Sequence, residues 1–164
     1  MIRNHTAWRD ADGKIIDCHE GAIERVGNLF YWYGRTYRGN IDGVYGTNGA
    51  KFRCGFVCYS STDLVHWKNE GDILKYADAP QELPWMMDGT WHRPRMIFDA
   101  RRKKYVLWYF VLGIPDGKPW VKDIVAEADS PKGPFKILGQ PKVSGLDVCG
   151  DIATFSDQKK YDLC

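Results

Sequence analysis

The sequence predicts an all-β fold on the basis of three features. Seven tryptophans and nine tyrosines occur among its 164 residues, and aromatic side chains favour β-strands. Short apolar runs alternate with turn residues, and no segment has the periodicity of an amphipathic helix. A strand–turn–strand pattern near the start recurs twice further along the chain, which indicates a repeat architecture. The length is that of one domain, residues 1–164.

The first repeat contains the best-defined hairpin, in which two predicted strands flank the tight-turn signal Gly27-Asn28. Polar residues lie at the start of this hairpin and aromatic residues lie towards its end. The following segment, Arg38–Lys51, is rich in glycine and asparagine and is predicted to be a long loop. The strands predicted in this repeat are Thr6–Trp8, Lys14–Cys18, Gly21–Val26, Leu29–Tyr37, Phe52–Ser60 and a strand from His66 through Leu74.

The second repeat follows a segment, Tyr76–Trp91, that is predicted to be irregular and contains two prolines. Its hairpin turns at the basic run Arg101–Lys104, which we interpret as a solvated turn because apolar runs flank it. A third repeat begins near the end of the chain. The strands predicted in these two repeats are Met96–Phe98, Tyr105–Leu112, Asp123–Asp129, Phe135–Leu138, Asp151–Phe155 and Tyr161–Cys164.

Four strands in each repeat are typical of a β-propeller blade. The chain accommodates about two blades and the start of a third. A propeller of the usual four to eight blades does not close with that number, and open blade edges invite pairing with other strands. We therefore expect this chain to be the N-terminal part of a longer propeller, with the missing blades as its partners.

Charge and composition disfavour several classes of function. The net charge is +2, from 23 basic and 21 acidic residues, whereas nucleic-acid binders concentrate basic residues on one face. No apolar run approaches the roughly 20 residues of a membrane helix, and the N-terminus has no signal-peptide pattern. The five cysteines include no CxxC pair, so we expect buried free thiols and no metal site. The cellular compartment stays open.

Several stretches, in the same order, resemble glycoside hydrolase family 43, most closely the subgroup of exo-acting β-1,3-galactanases. They combine a Trp-Arg-Asp opening, an aromatic strand, a Ser-Thr-Asp turn, an Arg-Pro pair and a Ser-Pro-Lys-Gly-Pro-Phe turn. The matching stretches are Trp8–Ile16, Cys18–Ile23, Leu29–Gly34, Cys58–Gly71, Arg93–Ile97, Asp129–Phe135 and Gly150–Asp157.

The resemblance implies a five-bladed β-propeller and an inverting glycosidase with its site at the central channel. The substrate would be an oligo- or polysaccharide of galactan, arabinan or xylan type, with no nucleic acid or membrane as partner. Asp151 matches the aspartate that tunes the general acid and orients the substrate, while the acid itself would lie beyond Cys164. Some members hold a channel calcium, but nothing in the sequence clearly encodes a cofactor. Members are often secreted or periplasmic.

Four positions depart from the pattern of most family members. His19 stands where members outside the subgroup carry a catalytic aspartate, as it does in the galactanase-like subgroup. His92 replaces the glutamate before Arg-Pro, and Arg35 replaces a carboxylate after the aromatic strand. Glu20 replaces a glycine, so that a carboxylate is gained beside His19. We keep open that Glu20 is a displaced base carboxylate.

The candidate catalytic residue is therefore Asp151, and the candidate substrate-binding residues are His19, Glu20, Trp91, His92 and Arg93. Each also has a structural interpretation. A histidine at a strand start is often only hydrogen-bonded, although two histidines at equivalent places favour a site. Trp91 follows a loop and is predicted to be a sugar platform, whereas we expect the rings of Trp32, Trp67 and Trp108 to lie in the core.

Three functions are consistent with this pattern. The first is a glycoside hydrolase whose isolated chain lacks the general acid. The second is a non-catalytic carbohydrate-binding propeller, which the loss of carboxylates at Arg35 and His92 favours. The third is a glycosidase of another propeller family, such as the fructan-acting enzymes, which the missing base aspartate disfavours.

Overall fold

Two four-stranded antiparallel sheets form the structure. The computed structural model describes residues 6–37, 55–113, 118–142 and 153. In each sheet, neighbours in sequence are also neighbours in space, so that the strand orders are β1-β2-β3-β4 and β5-β6-β7-β8. The all-β prediction and the four strands of the first two repeats are thus confirmed. The third repeat and the loop Arg38–Lys51 lie outside the described residues.

The strand bounds follow the predicted repeats closely. The first sheet contains β1 (His19–Val26), β2 (Leu29–Arg35), β3 (Phe56–Ser61) and β4 (Lys68–Leu74). The second sheet contains β5 (Thr90–Asp99), β6 (Lys104–Gly113), β7 (Trp120–Ala128) and β8 (Lys136–Gly139). Two short 3₁₀ helices, Tyr76–Asp78 and Pro84–Asp88, connect the sheets. In the part of the chain that the structure describes, no helix has the length and apolar character needed to cross a membrane.

The segment before β1 differs from its prediction. Instead of two strands at Thr6–Trp8 and Lys14–Cys18, a single antiparallel bridge joins Arg9 to Ile15. The reason is the intervening turn, in which Asp10 accepts hydrogen bonds from two backbone amides with its own carboxylate. An aspartate that binds nearby amides in this way competes with strand pairing.

Strand β5 is longer than predicted and begins within the segment expected to be irregular. A β-bulge between His92 and Arg95 interrupts its pairing with β6. A bulge adds a residue on one strand and breaks the two-residue alternation of buried and exposed side chains. The sequence pattern therefore indicated only the regular part of the strand, Met96–Phe98, and missed the part from Thr90 onwards.

Both predicted polar turns are confirmed. Asp63 accepts hydrogen bonds from the amides of Val65 and His66 with one carboxylate oxygen, at 2.9 and 2.8 Å. These bonds hold the pKa of Asp63 well below its ordinary value. In the basic turn, Arg102 forms an ion pair with Glu127, and Lys104 pairs with Asp129. The basic run is therefore a solvated hairpin turn whose charges are partly paired.

An aromatic core lies between the two sheets. The ring of Phe56 packs 6.0 Å from Trp91 and 4.9 Å from Tyr109, measured between centroids. A smaller cluster on the first sheet contains Cys18, Val57, Tyr59 and Trp67, with Trp32 packed against it. Trp67 and Trp108 are 1% and 6% exposed, so these two of the three tryptophans predicted to be core are buried, whereas Trp32 is only partly buried.

Two of the five cysteines are buried free thiols, as expected. Cys18 and Cys58 are buried and form no disulfide. Burial raises the pKa of both thiols well above its ordinary value, because a thiolate loses its hydration inside the protein. Both side chains therefore act as small apolar groups. The other three cysteines lie outside the described residues.

Two fully buried tyrosines allow a matched test of this core. The hydroxyl of Tyr33 donates a 2.8 Å hydrogen bond to the carbonyl of Pro131 and so ties the two sheets together. The hydroxyl of Tyr109 has no hydrogen-bond partner among the described residues. We expect Tyr33→Phe to lower the free energy of unfolding by about 1 kcal/mol, and Tyr109→Phe to leave it unchanged or raise it. Urea denaturation measures both, and equal losses would contradict the hydrogen-bond assignment.

Candidate functional site

Equivalent β-bulges occur near the start of the first strand in each sheet. In β1 the pairing shifts between His19 and Ala22, and in β5 it shifts between His92 and Arg95. The residue after each histidine, Glu20 or Arg93, has a positive φ of 57° or 51°. Because the bulges match in register and in backbone conformation, the two histidines occupy equivalent places in the two sheets.

The bulge in β1 depends on a close backbone approach at Gly21. A Cβ atom at this position would lie 1.5 Å from the carbonyl oxygen of Tyr33, which no side chain tolerates. The chain passes this point in a conformation that leaves Glu20 in the left-handed region. That conformation costs about 1 to 2 kcal/mol for a residue other than glycine, so the contacts of Glu20 have to offset a local strain.

Glu20, Arg35 and His92 form a cluster that joins the two sheets, named here the Glu20 cluster. One carboxylate oxygen of Glu20 lies 3.1 Å from Nη2 of Arg35, and the other lies 2.9 Å from Nδ1 of His92. Nη1 of Arg35 is also 2.9 Å from the same Nδ1, so the three side chains are in mutual contact, although the His92 tautomer that donates to Glu20 leaves no acceptor at Nδ1 for Arg35. The side chains are 30%, 6% and 17% exposed, in that order, so Glu20 is the member most open to solvent.

Neighbouring groups fix the two partners of Glu20. Arg35 donates a 3.4 Å hydrogen bond to the carbonyl of Trp91, and its guanidinium lies 4.7 Å above the ring centroid of Tyr37. The Thr90 hydroxyl lies 2.6 Å from Nε2 of His92, and Phe110 stacks against the imidazole at 5.2 Å. The positions of Arg35 and His92 are thus determined by packing on several sides, as a preorganised site requires.

The carboxyl group of Glu20 has a lowered pKa. The hydrogen bond with His92 is the largest cause, and the positive charge of Arg35 adds to it, while partial burial acts in the opposite direction. Hydrogen bonds and opposite charges favour the ionised form of a carboxyl group. Glu20 is therefore a carboxylate at neutral pH, and it is a hydrogen-bond acceptor only.

A second polar pair lies beside the cluster. Nε2 of His19 is 3.0 Å from a carboxylate oxygen of Asp17. Asp17 also accepts hydrogen bonds from the hydroxyl of Thr36 and from the amide of Tyr37. The Tyr37 ring packs 4.4 Å from the imidazole of His19. Because Arg35 donates to the Tyr37 hydroxyl, a continuous polar network runs from Asp17 to His92.

Four of the predicted site residues surround the two bulges: His19, Glu20, His92 and Arg93. Arg93 is exposed, and its guanidinium lies 6.0 Å from the ring centroid of Phe110. The sequence reasoning missed Asp17 and Tyr37 as members of the network. The position of Asp17, two residues before His19, could have indicated its role, because a carboxylate there can accept a hydrogen bond from the histidine and orient it. Asp151 lies outside the described residues.

The expectation that Trp91 is a sugar platform is wrong. Its side chain is completely buried, and its ring packs between Tyr76 and Tyr109 at 5.2 and 5.4 Å. The indole nitrogen donates a 3.2 Å hydrogen bond to the carbonyl of Met86. No ring face is left for a ligand, so Trp91 contributes to the site only through its carbonyl, which accepts from Arg35.

The described residues include no group of three or more histidine, cysteine, aspartate or glutamate side chains arranged to hold a metal ion. The polar groups gathered at the bulges are instead hydrogen-bond acceptors, imidazoles and guanidinium groups. Such a set suits a ligand with many hydroxyl groups, because hydroxyls both donate and accept hydrogen bonds.

Two glutamates of β1 should respond to acid in opposite ways. The pKa of Glu20 is lowered, so its stabilising effect is complete above the ordinary glutamate value of 4.5 and is lost as the pH falls through the lower, folded-state pKa. Burial raises the pKa of Glu24, so the stability linked to this group falls as the pH rises from its ordinary to its raised value.

We therefore expect acidification to reduce the stability advantage of the wild type over Glu20→Gln. For Glu24→Gln we expect the opposite: acidification should stabilise the wild type relative to this variant. Urea denaturation between pH 7 and pH 3 measures both differences. Parallel curves for the two variants would refute the assigned contacts of Glu20.

Comparison with known proteins gives a consistent picture. No family model and no curated protein matches the sequence. An exo-β-1,3-galactanase from Phanerochaete chrysosporium, solved with galactose, is 30% identical with a TM-score of 0.74 over 96% of this chain. A β-1,3-galactosidase of glycoside hydrolase family 43, solved with galactodeoxynojirimycin, is 31% identical with a TM-score of 0.68 over 87% of the chain.

An exo-β-1,3-galactanase from Clostridium thermocellum is 29% identical, with a TM-score of 0.65 over 84% of the chain. The chain spans 33%, 39% and 26% of the lengths of these three proteins, respectively. The two sheets therefore correspond to part of the fold of these three proteins. In sequence and in structure, this chain is glycoside hydrolase family 43-like and is similar to part of the exo-β-1,3-galactanases.

Proposed function

We propose that this chain supplies part of the substrate site of an inverting glycoside hydrolase that acts on a galactan-type polysaccharide. The observation that carries the proposal is its similarity, at about 30% identity over most of the chain, to exo-β-1,3-galactanases. Structures of the Phanerochaete enzyme contain galactose or, in a variant, β-1,3-galactotriose. We accordingly propose a galactose-containing oligo- or polysaccharide as the ligand of the present chain.

In this proposal, His19, Glu20 and Arg93 contact the sugar, while His92 serves the site by holding Glu20. The polar network supports the assignment, because Glu20 provides an acceptor for hydroxyl groups and Arg93 provides donors. Glu20 and His19 remain 30% and 46% exposed in their side chains, which leaves them accessible to a ligand. Trp91 is left out, because its ring is completely buried.

Hydrolysis with inversion needs a carboxylic acid that protonates the leaving oxygen and a base that activates water on the opposite face of the sugar. We propose that Asp151 orients the substrate and tunes the general acid. This assignment rests on the resemblance of residues 150–157 to the family pattern.

A non-catalytic carbohydrate-binding protein is the second candidate. It is favoured by Arg35 and His92, which stand where the resemblance implies carboxylates and which engage Glu20 in a closed cluster. An engaged carboxylate binds hydroxyl groups well but is a poorer acceptor for a proton, since its charge is already stabilised.

Hydrolysis and binding assays separate the two candidates. We expect the full-length protein to release reducing sugar from β-1,3-galactan faster than from arabinan or xylan, with inverted anomeric configuration by NMR. Asp151→Asn should lower kcat by about 10²- to 10⁴-fold, the range for loss of a group that assists proton transfer.

Glu127→Gln is a matched control, because Glu127 pairs with Arg102 in the basic turn; we expect it to retain full activity. Binding of galactan without hydrolysis of any of the three substrates would replace the enzyme by the carbohydrate-binding candidate. Absence of both binding and hydrolysis would refute the proposed function as a whole.

A further inference from the structure

Three departures from the family pattern meet at one set of contacts. Positions 35 and 92 carry arginine and histidine where the resemblance implies carboxylates, and position 20 carries glutamate where it implies glycine. In the structure, both Arg35 and His92 contact the Glu20 carboxylate, one at each oxygen. Three changes that look unrelated along the chain are therefore complementary in space.

The Glu20 cluster does not present a free positive charge. The side chain of Arg35 is only 6% exposed, and its guanidinium contacts Glu20, the Tyr37 hydroxyl and the Trp91 carbonyl. The imidazole of His92 is held by Thr90 and Phe110. The most exposed member is Glu20, at 30%, so a ligand at this point meets a carboxylate whose orientation is already set.

We propose that Glu20 is the sugar-binding carboxylate of this site, in place of the carboxylates that the resemblance implies at positions 35 and 92, and that Arg35 and His92 are positioning residues that hold it. The inference rests on the proposed function and names the ligand class of the same site: a neutral hexopyranose that donates hydroxyl hydrogen bonds to Glu20. At the Glu20 carboxylate itself, the carboxylate of a uronic acid would meet a second negative charge, so we expect a neutral sugar to bind there more tightly than a uronic acid.

The backbone at Glu20 supports this assignment indirectly. Arg93 has the same left-handed conformation in the equivalent bulge, so the bulge imposes the conformation and the side chain does not. Arg95 of β5 donates a 3.2 Å hydrogen bond to the Glu20 carbonyl, which adds a further link between the sheets. The backbone and the carboxylate of Glu20 are thus both held from the second sheet, as a preorganised acceptor needs.

The proposed relocation has a direct test. If Glu20 replaces a carboxylate at position 92, a glutamate placed at position 92 should restore sugar binding to a variant that lacks Glu20. The ligands are β-1,3-galactobiose and glucuronic acid, and isothermal titration calorimetry measures the binding of each to the full-length protein. The reference protein, called wild type below, and all variants carry Asp151→Asn, so that galactobiose is not hydrolysed during the titration. The variants are Glu20→Gln, Glu20→Gly and the double variant Glu20→Gly with His92→Glu. Glu127→Gln is the matched control, since Glu127 lies in an ion pair at the basic turn.

We expect Glu20→Gln and Glu20→Gly to weaken galactobiose binding about tenfold or more, as loss of a hydrogen bond to a charged group does. The double variant should return to within about threefold of the wild-type affinity. Glucuronic acid should bind the wild type more weakly than galactobiose does. Glu20→Gly also relieves the left-handed strain, so it provides a folded variant if Glu20→Gln proves unstable.

Each other result overturns a defined part of the account. Wild-type affinity in both single variants, or tighter binding of glucuronic acid than of galactobiose by the wild type, would refute the role of Glu20. Failure of the double variant to recover affinity would refute relocation of the carboxylate. If the wild type binds no galactoside at all, the proposed function fails, and this inference fails with it.

Discussion

The burial of Trp91 between the two sheets is the constraint on which the rest of the structure depends. Its ring fills the aromatic core beside Phe56 and Tyr109. Because successive side chains of a strand point to opposite faces, this placement directs His92 away from the core. The Trp91 carbonyl also accepts a hydrogen bond from Arg35. One buried tryptophan thus sets the places of both partners of Glu20.

Glu20 lies where the two sheets meet and places an ionised group, held by Arg35 and His92, at this boundary. Because the Arg35 side chain is only 6% exposed, Glu20 supplies the counter-charge that a buried guanidinium needs, and this contact offsets the cost of the left-handed backbone at Glu20, about 1 to 2 kcal/mol. Stability therefore explains the ion pair, but it does not require that Glu20 stay open to solvent. A carboxylate with two fixed partners and 30% of its side chain exposed is also suited to be a preorganised acceptor for hydroxyl groups.

Much of the fold could be predicted from the sequence, because hairpins such as Gly21–Tyr37 have local turn signals and alternating side chains. The two bulges could not be, since an inserted residue breaks that alternation without changing composition. For this reason the sequence predicts a shorter β5, and it predicts a sugar platform at Trp91, which lies within the part of β5 that the pattern misses. The contact between Glu20 and His92 joins residues distant in sequence, and only the packing of one sheet against the other brings them together.

The most direct test of the central claim is a crystal structure of the full-length protein with β-1,3-galactobiose. The account predicts a sugar hydroxyl within about 2.5–3.0 Å of a Glu20 carboxylate oxygen, the range for such hydrogen bonds, while Arg35 and His92 keep their contacts with Glu20. A sugar bound at the two bulges through Arg35 or His92, with Glu20 turned away from it, would contradict the account.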